Sequence, residues 1–188
     1  ACPFDIPAWF AGRGPFEHGL YCVTEMLVAG LLELFEAGVI RREEDGAAIH
    51  AGFFVESRDF YEKLRALPAE RLAKIAMMPI SFTNSLHGDA HADEAAKRRV
   101  RRNARFVNSA MMATLLGAAI SDTRKDGQVV SGVGGQFNFV DQAFALEGAR
   151  SIITLPATRT RGGATASNIV WSYPFATVPR HMRDIVVT

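Results

Sequence analysis

Three glycines within four residues, Gly132, Gly134 and Gly135 in the run Ser-Gly-Val-Gly-Gly-Gln-Phe-Asn-Phe at 131–139, constrain this chain more than any other feature. Glycine reaches positive φ cheaply and lets a ligand approach the main chain with no Cβ in the way. A loop of this kind turns several bare N–H groups toward one anionic oxygen, of a phosphate or of a reaction intermediate. The apolar residues 127–130 predict a strand before the loop, and the pattern over 139–146 predicts a helix after it. A strand–loop–helix unit is where α/β proteins commonly hold ligands. The spacing is not that of a dinucleotide-binding GxGxxG, and the lysine of a phosphate-binding P-loop is missing. By pattern alone, the loop is either a tight turn beside a ligand or a tight turn only.

The rest of the chain predicts where such a loop would sit. Residues 1–22 read as an irregular lead-in rich in Pro, Gly and aromatic side chains, and 23–188 as one domain. A helical pattern runs over 24–37, with Gly38 placed to end it. Strands are predicted at 47–55 and 76–80, with helical segments at 60–67 and 69–75 between them. A polar helix is expected over 93–105, then apolar stretches at 106–112 and 114–120, and strands at 151–155, 167–171 and 185–187. Short apolar strands alternating with helices predict an α/β fold, a partly parallel sheet flanked by helices. The start at Ala1 and the stop just after 185–187 predict a piece of a longer chain.

Composition narrows the classes of function. With 188 residues, 48% of them hydrophobic, the chain is long enough to bury a core. Its 21 basic and 20 acidic residues nearly cancel, so no global field points to nucleic acid or to a membrane surface. No apolar run reaches the roughly 18 residues of a membrane span. Cys2 and Cys22 do not form a CxxC pair, which fits a reducing, cytoplasmic setting and leaves a single disulfide open.

Together with the glycine loop, three further segments form a pattern: VTEMLVAGLLELFEAGVI at 23–40, RFVNSAM at 105–111 and SIITLPATR at 151–159. In order and spacing they resemble the C-terminal half of the acetyl-CoA hydrolase/transferase family, among the family I CoA-transferases. The resemblance implies that Glu25 attacks the acyl-CoA, that Asn108 lies in the active site, and that Gly134 and Gly135 supply backbone donors close to the thioester. It places Gly132, Val133, Gln136 and Asn138 along bound CoA. Acyl-CoA and small carboxylic acids are the implied partners, with CoA as a substrate, no metal or redox cofactor, and an N-terminal domain of the same protein closing the site. A homo-oligomer is left open. Two departures, ATRTRGGATASNIVW at 157–171 and TVPRHMRDIVVT at 177–188, mark a divergent branch, and a glutamate that the family carries after the last strand is absent. The fragment alone is therefore expected to be inactive.

Each candidate has a plainer reading. On a helical wheel Glu25 lies near Ala29, Leu32 and Glu36, as a solvated glutamate would. Asn108 sits in an apolar run, where an amide needs partners, and caps a turn or faces a thioester. Gln136 and Asn138 touch pantetheine or cap the following helix. The run Lys97, Arg98, Arg99, Arg101, Arg102 and Arg105 is a solvated face, a contact with another domain, or a site for the phosphates of CoA. His87, Asp89, His91 and Asp93 read as a polar loop before a metal cluster. Ser131 has no evident histidine partner. CoA transfer, hydrolysis of acyl-CoA on the same residues, and an inactive CoA-binding module are the readings that remain.

Overall fold

The computed structural model describes residues 17–88 and 93–188, in two compact units, residues 1–84 and 85–188. The first unit is built on three parallel strands in the order β1-β2-β3: β1 Cys22–Met26, β2 Ile49–Phe53 and β3 Ile75–Met77. Parallel neighbours need crossovers. Here these are helix α1 Ala29–Glu36 and then the pair α2 Arg58–Ala66 and α3 Ala69–Leu72. A further short helix, α4 Ile80–Asn84, follows β3.

Alternation along the strands sends side chains to two faces. Ile49 and Ala51 of β2 join Leu32 and Phe35 of α1 and Phe60 of α2 in one buried core. Ser57 begins α2 by accepting the Phe60 N–H at 3.3 Å, which sets Phe60 facing that core. Gly38, at φ +75°, closes α1: its N–H reaches Phe35 O at 3.0 Å and the Val39 N–H reaches Leu34 O at 2.9 Å. A side chain at that φ is strained, so the glycine stop predicted at 38 has a conformational cause. Cys22 is a free thiol packed against the same core, where burial pushes its pKa up to about 12.

The helix predicted from residue 24 begins only at Ala29. Residues 22–26 are a strand, with Val23 paired to His50 and Thr24 to Ala51. Val23 and Thr24 are β-branched and the strand is partly covered on both faces, so its apolar spacing matched a helix as well as a strand. Glu25 therefore stands on β1 and not on a helix.

The second unit repeats the principle. Strands β4 Arg105–Ser109, β7 Arg150–Thr154 and β11 Ile185–Val187 are parallel in the order β11-β7-β4. Helix α5 Glu94–Val100 precedes β4, with the Asp93 carboxylate accepting the Ala96 N–H at 3.3 Å. Between β4 and β7 lie β5 Met112–Thr114, β6 Ala119–Ile120 and helix α6 Gln136–Ala145. Beyond β7 come the hairpin β8 Thr158–Arg161 with β9 Ala164–Ser167, and β10 Ile169–Val170, which pairs in parallel with β5. A 3₁₀ turn, Arg180–Met182, precedes β11. Helix α6 buries Phe139, Val140 and Ala143, with the Phe139 ring 5.7 Å from that of Phe106 on β4.

The strand predicted at 127–130 is absent. Arg124 to Gln128 form a tight turn closed by Arg124 N–H to Gln128 O at 2.8 Å and Gly127 N–H to Arg124 O at 2.9 Å, with Gly127 at φ +84°. Val129 makes one isolated bridge, to Thr123, and both Val129 and Val130 are exposed. With no sheet to bury them, apolar residues there do not extend into a strand. The strand that feeds α6 in the parallel sheet is β4.

Candidate active site

In an α/β unit, ligands gather outside the carboxyl ends of the parallel strands. Asn108 is the penultimate residue of β4, level with Ile153 of β7. Its Nδ2 is buried and has no hydrogen-bond partner. Helix α6 starts beside the same strand ends: the Gln136 Nε2 donates to Ser109 O at 2.7 Å, while the Gln136 Oε1 is buried with no partner. A buried amide atom without a partner costs about 1–3 kcal/mol. Two of them together, one donor and one acceptor, are a feature a ligand can repay.

The glycine loop leads into this helix. Gly134 has φ +57° and is required by the backbone itself. Gly135 is the N-cap of α6 at φ −84°, with no side-chain cap, and the first turn carries no acidic residue. The helix's own first turn thus supplies no anion to its positive end. Gly132 is not at positive φ, and a Cβ there would meet nothing within 4 Å, so neither backbone nor packing demands a glycine. Val133 is exposed on the loop. Asn138, inside the first turn of α6 and exposed, caps nothing, and Gln136 is spent on Ser109 instead of on the helix end.

Asp122 ties down the stem of the loop. Its carbonyl accepts the N–H groups of Val130 at 2.8 Å and Ser131 at 3.3 Å. Its carboxylate accepts the hydroxyls of Thr177 and, at 2.8 Å, Thr123. The Thr177 hydroxyl first, and then that of Thr123, hold the Asp122 carboxyl below the usual range. Sequence reasoning missed this anchor, since residues 122 and 177 are far apart in the chain and nothing local joins them.

In the first unit, Glu25 is the penultimate residue of β1, on the face shared with Val23, His50 and Gly52. Helix α1 starts just beyond, its Ala29 N–H received by the Glu56 carboxylate at 3.4 Å. Glu56 is a second acid near this strand end, and no sequence signal marked it. Glu25 belongs to one unit, and Asn108, Gly132, Val133, Gly134, Gly135, Gln136 and Asn138 to the other.

The basic run binds helices. Lys97 and Arg101 are buried; Lys97 Nζ donates to Ser85 O at 2.9 Å and Arg101 Nη1 to Gln142 Oε1 at 2.6 Å. Arg98 reaches Glu94 and Ala145 O, Arg102 reaches Glu147, and Arg105 reaches Gly148 O. Five of the six cations are thus engaged within the second unit, chiefly against α6 and the turn after it. His87 pairs with Glu94 at 2.7 Å, while Asp89 and His91 lie outside the described residues. Among the described residues no group of three metal-ligating side chains is assembled, and no helix is long and apolar enough to cross a membrane.

Each unit is a parallel βα arrangement with polar groups at its strand ends, the place where α/β proteins hold ligands. Residues 57–188 match the acetyl-CoA hydrolase/transferase C-terminal domain, and the chain belongs to that family. Glu25 lies upstream of the matched stretch. Among solved structures, RipA from Yersinia pestis is 26% identical, with a TM-score of 0.69 over 96% of this chain and 37% of that one. A 4-hydroxybutyrate CoA-transferase from Porphyromonas gingivalis, at 18% identity, shares the fold with a TM-score of 0.54 over 84% of this chain and 34% of that one. The chain thus spans a little over a third of the length of these structures. No curated protein matches it.

Proposed function

We propose that the protein carrying this domain transfers CoA between an acyl-CoA thioester and a carboxylate through a covalent thioester on Glu25. The observation that carries the reading is the pair of unpartnered amide atoms, Asn108 Nδ2 and Gln136 Oε1, beside the glycine loop at the strand ends of a family member. The Asn108 donor suits an oxyanion, and the Gln136 acceptor suits an amide N–H of pantetheine.

The steps balance without a metal or redox group. A Glu25 carboxylate oxygen attacks the thioester carbonyl carbon, and the tetrahedral oxyanion collapses to an acyl–glutamyl anhydride and CoA thiolate. The thiolate then attacks the glutamyl carbonyl, giving glutamyl-CoA and releasing the first carboxylate. An acceptor carboxylate attacks glutamyl-CoA, thiolate leaves, and its return to the acceptor carbonyl yields the new acyl-CoA and free Glu25. A carboxylate is a weak nucleophile, and fixed positioning supplies effective molarity in compensation. Every addition creates an oxyanion, for which Asn108 Nδ2 and the Gly134 and Gly135 amides are the donors, each worth about 3–4 kcal/mol.

Acyl-CoA added to the complete protein without acceptor should add the mass of CoA to the peptide containing Thr24-Glu25-Met26. Glu25→Gln should abolish the adduct and lower turnover by several orders of magnitude while CoA affinity persists. An adduct on another residue, or turnover within tenfold in Glu25→Gln, overturns the proposal. Steady release of free CoA without acceptor would assign hydrolysis instead.

A further inference from the structure

We propose that Gly52 is a positioning residue for Glu25, an inference that rests on the nucleophile assigned above. Register sets Glu25 of β1 beside Gly52 of β2, one step beyond the Thr24–Ala51 pair and one before Met26–Phe53. Both lie on the face against which α4 packs. The backbone does not demand glycine at 52, because its φ is not positive. Space does. A Cβ there would lie 2.5 Å from Ile80 Cδ1, 2.9 Å from the main-chain oxygen of Glu25 and 3.6 Å from Thr83 Oγ1.

The first two contacts differ in kind. Ile80 Cδ1 is the end of a flexible side chain and swings aside at small cost. The Glu25 oxygen belongs to a strand in a parallel ladder and gives way only if β1 moves, carrying the carboxylate with it. The bare hydrogen of Gly52 therefore permits β1 to lie this close to β2, with Ile80 filling the remaining space over it. The strand spacing at 52 fixes the height of Glu25 at the end of the sheet. A nucleophile working over about 3–3.5 Å is sensitive to shifts of a fraction of an ångström, since about 1 Å can cost 10²-fold.

The test uses the complete protein with acetyl-CoA and succinate, and three variants: Gly52→Ala, Ile80→Val, and the two combined. Ile80→Val removes the Cδ1 atom that the new methyl would strike and leaves Glu25 alone. Gly52→Ala should lower kcat and the rate of CoA adduct formation about tenfold or more, with KM for acetyl-CoA within threefold. Ile80→Val should keep near-native kcat, and the double variant should stay as slow as Gly52→Ala. Should Gly52→Ala fold too poorly to assay, the double variant carries the same test, because only the Glu25 oxygen then opposes the methyl. Recovery of kcat in the double variant, or a native adduct rate in Gly52→Ala, overturns the inference and leaves Glu25 as nucleophile intact. An adduct that survives Glu25→Gln removes both.

Discussion

Replacing Asn108 by leucine should make the ligand-free protein more stable and the enzyme far slower. The Asn108 Nδ2 is buried without a partner, a state that costs about 1–3 kcal/mol. Leucine has the same number of side-chain heavy atoms, branched at the same carbon, stands next to Ile153 in the register, and buries no donor. The second unit should gain about 1–2 kcal/mol once the orphaned donor is gone, which raises its unfolding temperature by several degrees at about 4 °C or more per kcal/mol. The same change removes the proposed oxyanion donor and should cut kcat by about 10²–10³-fold. KM for acyl-CoA should move little, because the lost interaction forms in the transition state. Thermal unfolding of the ligand-free protein and steady-state kinetics on one preparation give both numbers. Asn108→Asp serves as the near-isosteric control: it keeps the shape, removes the donor and adds a negative charge where the proposed oxyanion forms, so its rate should fall further. If Asn108→Leu is less stable than wild type and retains its kcat, the amide is a structural partner and the argument from the orphaned donor fails.

Two further outcomes follow from neighbouring contacts. Arg101→Met should destabilise the protein by about 1–3 kcal/mol by removing the buried hydrogen bond to Gln142 Oε1, with KM for acyl-CoA unchanged; a rise in KM with stability intact would instead make the basic run a CoA contact. The folded-state pKa of Asp122 is depressed, so its contribution to stability is complete above the ordinary carboxylate range and is lost as pH falls through the folded value. Urea unfolding from neutral pH to about pH 3 should therefore be less pH-dependent in Asp122→Asn than in wild type, and equal slopes would refute the anchor.

What the sequence revealed depended on how local the cause was. The stop at Gly38 follows from one residue's backbone freedom, and the strand at 185–187 from three consecutive β-formers; both stand where the pattern put them. The family could be read from short motifs, and residues 57–188 bear it out. The strand carrying Glu25 was hidden because a partly covered parallel strand shows no alternation, and its eight-residue helix follows after only two residues. The apolar residues before the glycine loop promised a strand, yet the turn at 124–128 leaves them no sheet. The basic run shows the limit of charge counting. Nothing along residues 97–105 reveals that Arg101 is committed to Gln142, well inside a helix forty residues later.

The stem of the glycine loop has a consequence for how the protein is made. Residues 122–135 leave the ribosome midway through the second unit, yet the Asp122 carboxylate meets its Thr177 hydroxyl only after some forty more residues have been added, and β6 waits as long for Val178. A nascent chain stopped near residue 160 already contains each residue proposed to face the thioester, and it lacks the clamp that holds their loop. During synthesis the proposed oxyanion donors are thus all present well before their loop is fixed.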